Sequence, residues 1–416
     1  MTESQEQNLS ITLFKSHKQA KETSTLVHYM SSPPRADGGC GQLDEDNSSW
    51  YRVLRRTQWI WQGVDPIEME EILANMAHSS HHRSSSALLD TVIGYRPGNW
   101  AYEWTAAGMQ HQKRAKELEG EKAAHALYMA SLYYSIAGYP HLKGDSLAVQ
   151  AQVLANKAYQ EANQHSSYTV KTIEVPYKGK TIKAFLHLPH TQNPLPVVMV
   201  SAGLDTLQSD MWRLFQDYLV PENFAMLTLD MPSLGHSLHW SLTEDSSCLH
   251  QAILDELPNV PWVDHHKVSL LGFRLGGHAA VRLSFLEPNK IKACVALGAP
   301  VHSILSDPSR LATMPKMYLD TIASRLGKKT VDVRSMTTQM QAWSLKMQGF
   351  LVGRRTSVPI LALGLEGDPI SSVSDNNLVA MYSQSGKAMI IPSKPLYDGY
   401  HKSLVSAIKW IKNELG

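Results

Sequence analysis

Cysteine is scarce in this sequence: three residues in 416, Cys40, Cys248 and Cys294, far apart and odd in number. That usage excludes a disulfide framework and a thiolate zinc site and fits a reducing compartment. No apolar run approaches the ~18 residues that a membrane-spanning helix needs, so an integral membrane protein is not expected. No charge excess exists either. Lysine and arginine number 39 against 38 acidic residues, for a net charge of +1. Residues 1–165 carry 15 basic and 18 acidic side chains, and the remainder carries 24 and 20. Neither half offers the net basic stripe of a duplex-binding surface, which argues against a nucleic-acid partner. The start, Met-Thr-Glu-Ser-Gln-Glu-Gln, lacks a basic-then-apolar leader, so a soluble cytoplasmic protein is expected.

The chain has room for two domains, and its periodicity divides it in two. From Asn8 to about His165 the apolar residues recur at helical spacing. Asp65-Pro66-Ile67-Glu68 spells a helix start, with Asp65 as cap and Pro66 where its missing N–H costs nothing. Asp145 opens another helix, with Leu147, Ala151, Leu154 and Ala158 on one face, and Ala123 to Ala137 forms a third. Trp59 and Trp61 cannot share one helix face, so one of them is expected to touch a neighbouring element. Residues 31–48, rich in Gly, Pro and polar side chains, suit an exposed loop containing Cys40. An all-helical domain over 1–165 is expected.

Near Ser166 the period changes. Tyr168–Tyr177 and Lys180–Leu188 alternate across Lys178-Gly179, a hairpin signal. Buried runs then recur at Val197–Ser201, Ala225–Leu229, Val268–Leu271, Ala293–Leu297, Ile360–Leu363 and Ala388–Ile391, separated by helical stretches. This is the pattern of an α/β fold with a doubly wound, mostly parallel sheet, here spanning residues 166–416. Between about 300 and 356 the alternation gives way to helical spacing (Pro315 to Leu326, Gln339 to Phe350), as expected of a cap inserted over the strand ends.

The segment richest in chemistry is Leu271-Gly272-Phe273-Arg274-Leu275-Gly276-Gly277-His278, where a buried run passes straight into a helix. It resembles the Gly-x-Ser-x-Gly elbow of α/β-hydrolases, with Arg274 standing where the nucleophilic serine belongs. Four other elements match that fold in order. Ser201-Ala202-Gly203-Leu204-Asp205 falls where an oxyanion-hole N–H arises, and Asp230-Met231-Pro232-Ser233-Leu234-Gly235-His236-Ser237 resembles the turn after the fourth strand. Glu366-Gly367-Asp368-Pro369 resembles the acid loop, and His401 precedes a terminal helix, Lys402 to Leu415.

The helical half, with Ala137-Gly138-Tyr139-Pro140-His141-Leu142, joined to a hydrolase half bearing Gly-Phe-Arg-Leu-Gly-Gly, resembles the FrsA (fermentation–respiration switch) family over essentially the whole chain. The resemblance implies a cytoplasmic carboxylesterase acting on short carboxylic esters without a cofactor. It also implies association with the glucose-specific IIA component of the sugar phosphotransferase system. Cofactor-independent decarboxylation of a 2-oxo acid is a further activity attached to the family.

Arginine changes the chemistry. Its guanidinium stays protonated and cannot act as a nucleophile. Near a helix N-terminus a cation is disfavoured, which calls for an anionic partner. One candidate is a small carboxylate or ester held between Arg274 and the helix-start N–H groups of Leu275 and Gly276, with Gly203 and Asp205 alongside. The other is an internal pair of Arg274 with Asp205 or Asp368. Asp368 and His401 could orient and activate a water, or be inherited structure. Three functions follow: a carboxylesterase-type hydrolase, a non-catalytic metabolic regulator, and a decarboxylase. In the last, ground-state grip on the carboxylate would not itself speed its loss.

Other motifs have plainer readings. His78, His81 and His82 have metal-face spacing but no nearby carboxylate, so a polar helix end is expected and no metal site. His265-His266 suits an exposed loop, and Cys248 and Cys294 suit helix and strand interiors. Ser233 and Ser237 line their turn rather than face an acid–histidine pair. Arg55-Arg56 and Lys113-Arg114-Lys116 suit solvated helix faces.

Overall fold

The computed structural model describes residues 22–30, 49–392 and 396–415. The expected loop at 31–48 and Cys40 lie outside these. A two-residue strand β1 (His28–Tyr29) precedes five helices: α1 (Arg56–Gln62), α2 (Pro66–His78), α3 (Trp100–Ala115), α4 (Gly120–Gly138) and α5 (Ser146–His165). The caps are the residues expected from sequence. Asp65 accepts from the N–H groups of Ile67 at 2.8 Å and Glu68 at 3.0 Å, and Asp145 from Leu147 and Ala148, each at 3.1 Å. The Ala-rich face of α5 packs on α4 because side chains that small let two helices approach closely.

The strands that follow are β2 (Thr169–Tyr177), β3 (Lys180–Leu188), β4 (Leu195–Ser201), β5 (Ala225–Leu229), β6 (Val263–Phe273), β7 (Ile291–Leu297), β8 (Thr330–Val331), β9 (Ile360–Leu365) and β10 (Lys387–Ile391). Eight form one sheet in the order β10-β9-β7-β6-β4-β5-β3-β2, parallel except where β3 runs against β2 and β5. Lys178 and Gly179 both take positive φ, +47° and +74°, giving the two-residue turn whose twist suits a hairpin; Tyr177 then pairs with Lys180. The strands β4, β5 and β7 are buried nearly throughout, as a sheet covered on both faces requires.

Between β7 and β9 lie four short helices, Ser303–Ser306, Pro308–Ala312, Lys316–Arg325 and Val333–Met340. The helix expected over Gln339–Phe350 does not form. After a single turn at Gln341–Trp343, Leu345 N–H is captured by Val301 C=O at 2.9 Å, and the Ser344 hydroxyl binds His302 Nδ1 at 2.7 Å and Met347 N–H at 3.2 Å. Tertiary partners take the groups that a helix would have used.

The two halves share structure. Strand β1 pairs with β8 of the inserted region, and the core of the helical half includes Phe185, Trp212 and Met317 from beyond residue 166. Trp59 packs against Trp100, Trp104 and Tyr139 inside the helical half, while Trp61 crosses to Tyr400 of the terminal helix (Leu396–Leu415), 4.9 Å between ring centroids. The strongest tie is Arg325, whose side chain is fully buried. It donates to Pro140 C=O (2.9 Å) and His141 C=O (2.8 Å) after α4, Leu204 C=O (2.8 Å) after β4 and Ser233 C=O (3.0 Å) after β5. Burial lowers its pKa to about 10, which leaves it charged at neutral pH. Replacing Arg325 by Met strips four buried carbonyls of their donor at once. The expected loss is on the order of 3–5 kcal/mol, read as a drop in the urea unfolding midpoint; an unchanged midpoint would show that water replaces the guanidinium.

Candidate functional site

The elbow is built by three glycines. A Cβ on Gly272 would press into the Gly276 carbonyl, one on Gly276 into the carbonyls of Ser201 and Ala202, and one on Gly277 would stand 2.9 Å from the Ala299 methyl. Strand β6 can therefore turn directly into the elbow helix (Leu275–Leu286) only with no side chain at these positions. Arg274, between them, takes φ 53° and ψ −120°, a strained geometry for a non-glycine residue. Its N–H is tied to Leu297 C=O at 2.8 Å and its C=O to His278 N–H at 3.1 Å. The backbone turns sharply from strand into helix with Arg274 at the apex.

Arg274 Nη1 makes a short ion pair with Asp368 Oδ2 and reaches Gly298 C=O at 3.5 Å. Asp368 is wholly buried at its side chain, while a third of the arginine side chain remains exposed. The other carboxylate oxygen accepts from Ile370 N–H (2.9 Å) and Ser371 N–H (3.3 Å). A second guanidinium stands nearby. Arg55, just before α1, grips Asp205 with two parallel bonds, Nη1 to Oδ1 at 3.0 Å and Nη2 to Oδ2 shorter still. It lies 5.4 Å from the Tyr139 ring centroid. Burial is the largest influence and works against both guanidinium charges, but Asp205 with Tyr139 and Tyr318 at Arg55, and Asp368 with Tyr318 at Arg274, together hold each pKa above the ordinary arginine value.

Two small cavities meet here. One, about 110 Å³, is bounded by Arg55, Gly203, Arg274, Asp368, Tyr400 and Ser403. The other, about 100 Å³, lies under the inserted helices and is almost entirely apolar, with Leu275, Ile304, Met314, Tyr318 and Trp343 in its wall. Arg55, Gly203 and Arg274 border both. Of the other residues expected to bind ligand, Asp205 borders the apolar cavity with its carboxylate engaged by Arg55, and Gly276 is packed on β4 and borders neither.

His401 is not brought to Asp368. It sits exposed on the terminal helix with Nδ1 2.8 Å from the Tyr218 hydroxyl, and Tyr218 also accepts the Trp61 indole N–H at 3.3 Å. One helical residue earlier, Tyr400 faces the cavity instead. Arg55 corrects the sequence expectation: it is a site residue, not a solvated helix face, whereas Arg56 pairs with Glu70 at the surface. No local signal marked Arg55, because its partner lies 150 residues away.

The remaining candidates fall out as structure. Asp230 organises its turn by accepting from the N–H groups of Gln208 (2.7 Å) and His236 (2.8 Å), and Ser233 and Ser237 are buried within it. Cys294 is buried in β7; Cys248 is only half-buried, at the first residue of the helix Cys248–Glu256. His78 bonds Ala74 C=O at 2.9 Å. Among the described residues no group of three or more His, Cys, Asp or Glu could hold a metal, and no helix is long and apolar enough to cross a membrane.

Sheet order and the strand-to-helix connections define an α/β-hydrolase fold. Solved structures agree on the fold: 2,6-dihydroxy-pseudo-oxynicotine hydrolase aligns with a TM-score of 0.65 at 16% identity over 86% of this chain and 95% of that one. AbyA5 aligns with 0.63 at 19% identity over 76% and 90%. The chain belongs to the FrsA-like esterase family, whose description, Esterase FrsA-like, matches residues 4–416. It is 60% identical over 415 residues to Esterase FrsA of Vibrio cholerae and 61% over 415 to that of Vibrio parahaemolyticus, each covering 100% of both chains.

Two outcomes follow from this geometry. Arg274→Ser should give no gain in short aryl ester hydrolysis, since His401 is engaged by Tyr218 and does not touch Asp368; a rise of about tenfold or more would show that a relay can assemble. His278, buried on the elbow helix, binds Ser246 Oγ at 2.9 Å and Trp343 C=O at 2.7 Å, and burial lowers its pKa to about 4. The unfolded imidazole titrates near 6.5, so the stability conferred by the neutral ring is present above that pH and lost as pH falls toward 4. Between pH 7 and pH 5 the wild type should lose about 2 kcal/mol more than His278→Gln in urea unfolding; equal losses would sink the assignment.

Proposed function

We propose that the elbow cleft takes short carboxylic esters and small carboxylates, with Arg274 on the carboxyl oxygens, and that ester cleavage there uses water directly without an acyl-enzyme. The observation that carries this reading is Arg274 itself: a guanidinium fixed at φ 53° where serine hydrolases place their nucleophile, partly exposed and bordering both cavities. Such a group stabilises a carboxylate or a developing oxyanion, and the first-turn N–H of Leu275, which has no partner within its helix, adds a donor. Water adds to the ester carbonyl carbon and the carbonyl oxygen takes the negative charge beside Arg274. Collapse then breaks the bond to the alcohol oxygen, which leaves with the proton given up by water. Asp368 is spent on Arg274, so no strong base serves the water and turnover is slow. Cavities of about 100 Å³ restrict the ligand to a few heavy atoms on each side of the guanidinium.

A second reading, a metabolic regulator that senses a carboxylate, is supported by the same engagement of Asp368 and His401 in contacts other than with each other. In that reading the helical half meets a partner such as the glucose-specific IIA component. Calorimetry with butyrate separates binding from turnover. Arg274→Ala should weaken butyrate about tenfold or more, and ester hydrolysis should fall with it if the hydrolase reading is right. Hydrolysis unchanged while binding falls would favour the regulator, and unchanged butyrate affinity would overturn both.

A further inference from the structure

A larger cavity lies away from the elbow. It holds about 790 Å³, several times the elbow chambers, and opens between α3, α4 and the start of β2, against a π-helical turn at Phe215–Leu219. Single π turns are often found at functional sites. Its size falls within the range of small-molecule sites.

The inner wall is aromatic. Trp212 stacks on Tyr128 with centroids 4.8 Å apart and planes 8° from parallel, and His125 stands edge-on to Trp212 at 5.7 Å. Trp212 is 6% exposed, and among the described residues its indole N–H has no hydrogen-bond partner. At the rim, Arg114 and Lys122 are exposed and have no ion pair among the described residues. The carboxylates there are already engaged: Asp65 caps α2, Glu121 takes the Ser167 N–H, and Asp217 pairs with Arg213 at 2.9 Å. At His125, partial burial and then Arg213, His111 and Arg114 lower the imidazole pKa, with Asp217 opposing them.

From this we infer a second ligand site, separate from the elbow, for a flat aromatic molecule bearing one anionic group: the ring against the wall formed by Tyr128 and Trp212, and its charge toward Arg114 and Lys122. No bond is made or broken; the site binds.

The test uses full-length protein labelled with 5-fluorotryptophan and read by fluorine NMR, the Trp212 resonance being the one absent in Trp212→Phe. The probe is 2-naphthoate, with neutral 2-naphthamide as its isostere. Naphthoate should shift the Trp212 resonance saturably and bind about tenfold tighter than the amide. That preference should vanish in Arg114→Ala/Lys122→Ala and persist in Arg274→Ala, which removes the elbow guanidinium. No saturable shift at Trp212, equal affinity for acid and amide, or a shift lost in Arg274→Ala would each overturn the proposal. Failure here leaves the elbow reading untouched, since that rests on butyrate and Arg274.

Discussion

Arg325 is the constraint on which the rest of the arrangement hangs. A guanidinium with no carboxylate in ion-pair contact among the described residues is buried completely and is satisfied by four carbonyls drawn from three regions of the chain. Each acceptor lies in a loop, where backbone groups would otherwise need water. By gathering the turn after α4, the loop after β4 and the turn after β5 onto one inserted helix, it fixes the helical half and the inserted region against the sheet. Leu204, one of its acceptors, lies between Gly203 and Asp205, so the same contact positions the elbow's neighbours.

Within that frame the site is organised by charge pairing. In a serine hydrolase the acid holds a histidine, which in turn serves the nucleophile. Here Asp368 pairs directly with Arg274, and His401 is bonded to Tyr218 instead. A second arginine–aspartate pair joins Arg55 of the helical half to Asp205 after β4, and its arginine borders the same two cavities. Two cations each balanced by one anion add almost nothing to the net charge, so an overall value of +1 is compatible with a strongly charged site.

Much of the fold was legible because its signals are local. The strand runs, the Lys178-Gly179 turn, the Asp65 and Asp145 caps and the glycines flanking Arg274 each follow from backbone geometry or burial within a dozen residues. The failures are where tertiary contacts outbid local preference. The helical spacing of Gln339–Phe350 lost to captures by Val301 and His302, and Arg55 looked like a surface step because Asp205 is remote in sequence. Trp212, with its unpaired indole N–H, carried no sequence mark at all.

The sequence by itself determined the class of fold and the oddity at its centre: a strand-to-helix elbow that only glycines permit, bearing a residue that cannot be a nucleophile. Tertiary structure alone decided what that residue does with its charge. Sequence order puts Asp368 and His401 in the positions of an acid and a base, but hydrogen bonds depend on distances of about 3 Å and on direction. The terminal helix presents Tyr400 to the cavity and, one residue or about 100° further round its axis, His401 to Tyr218, while Asp368 pairs with the arginine.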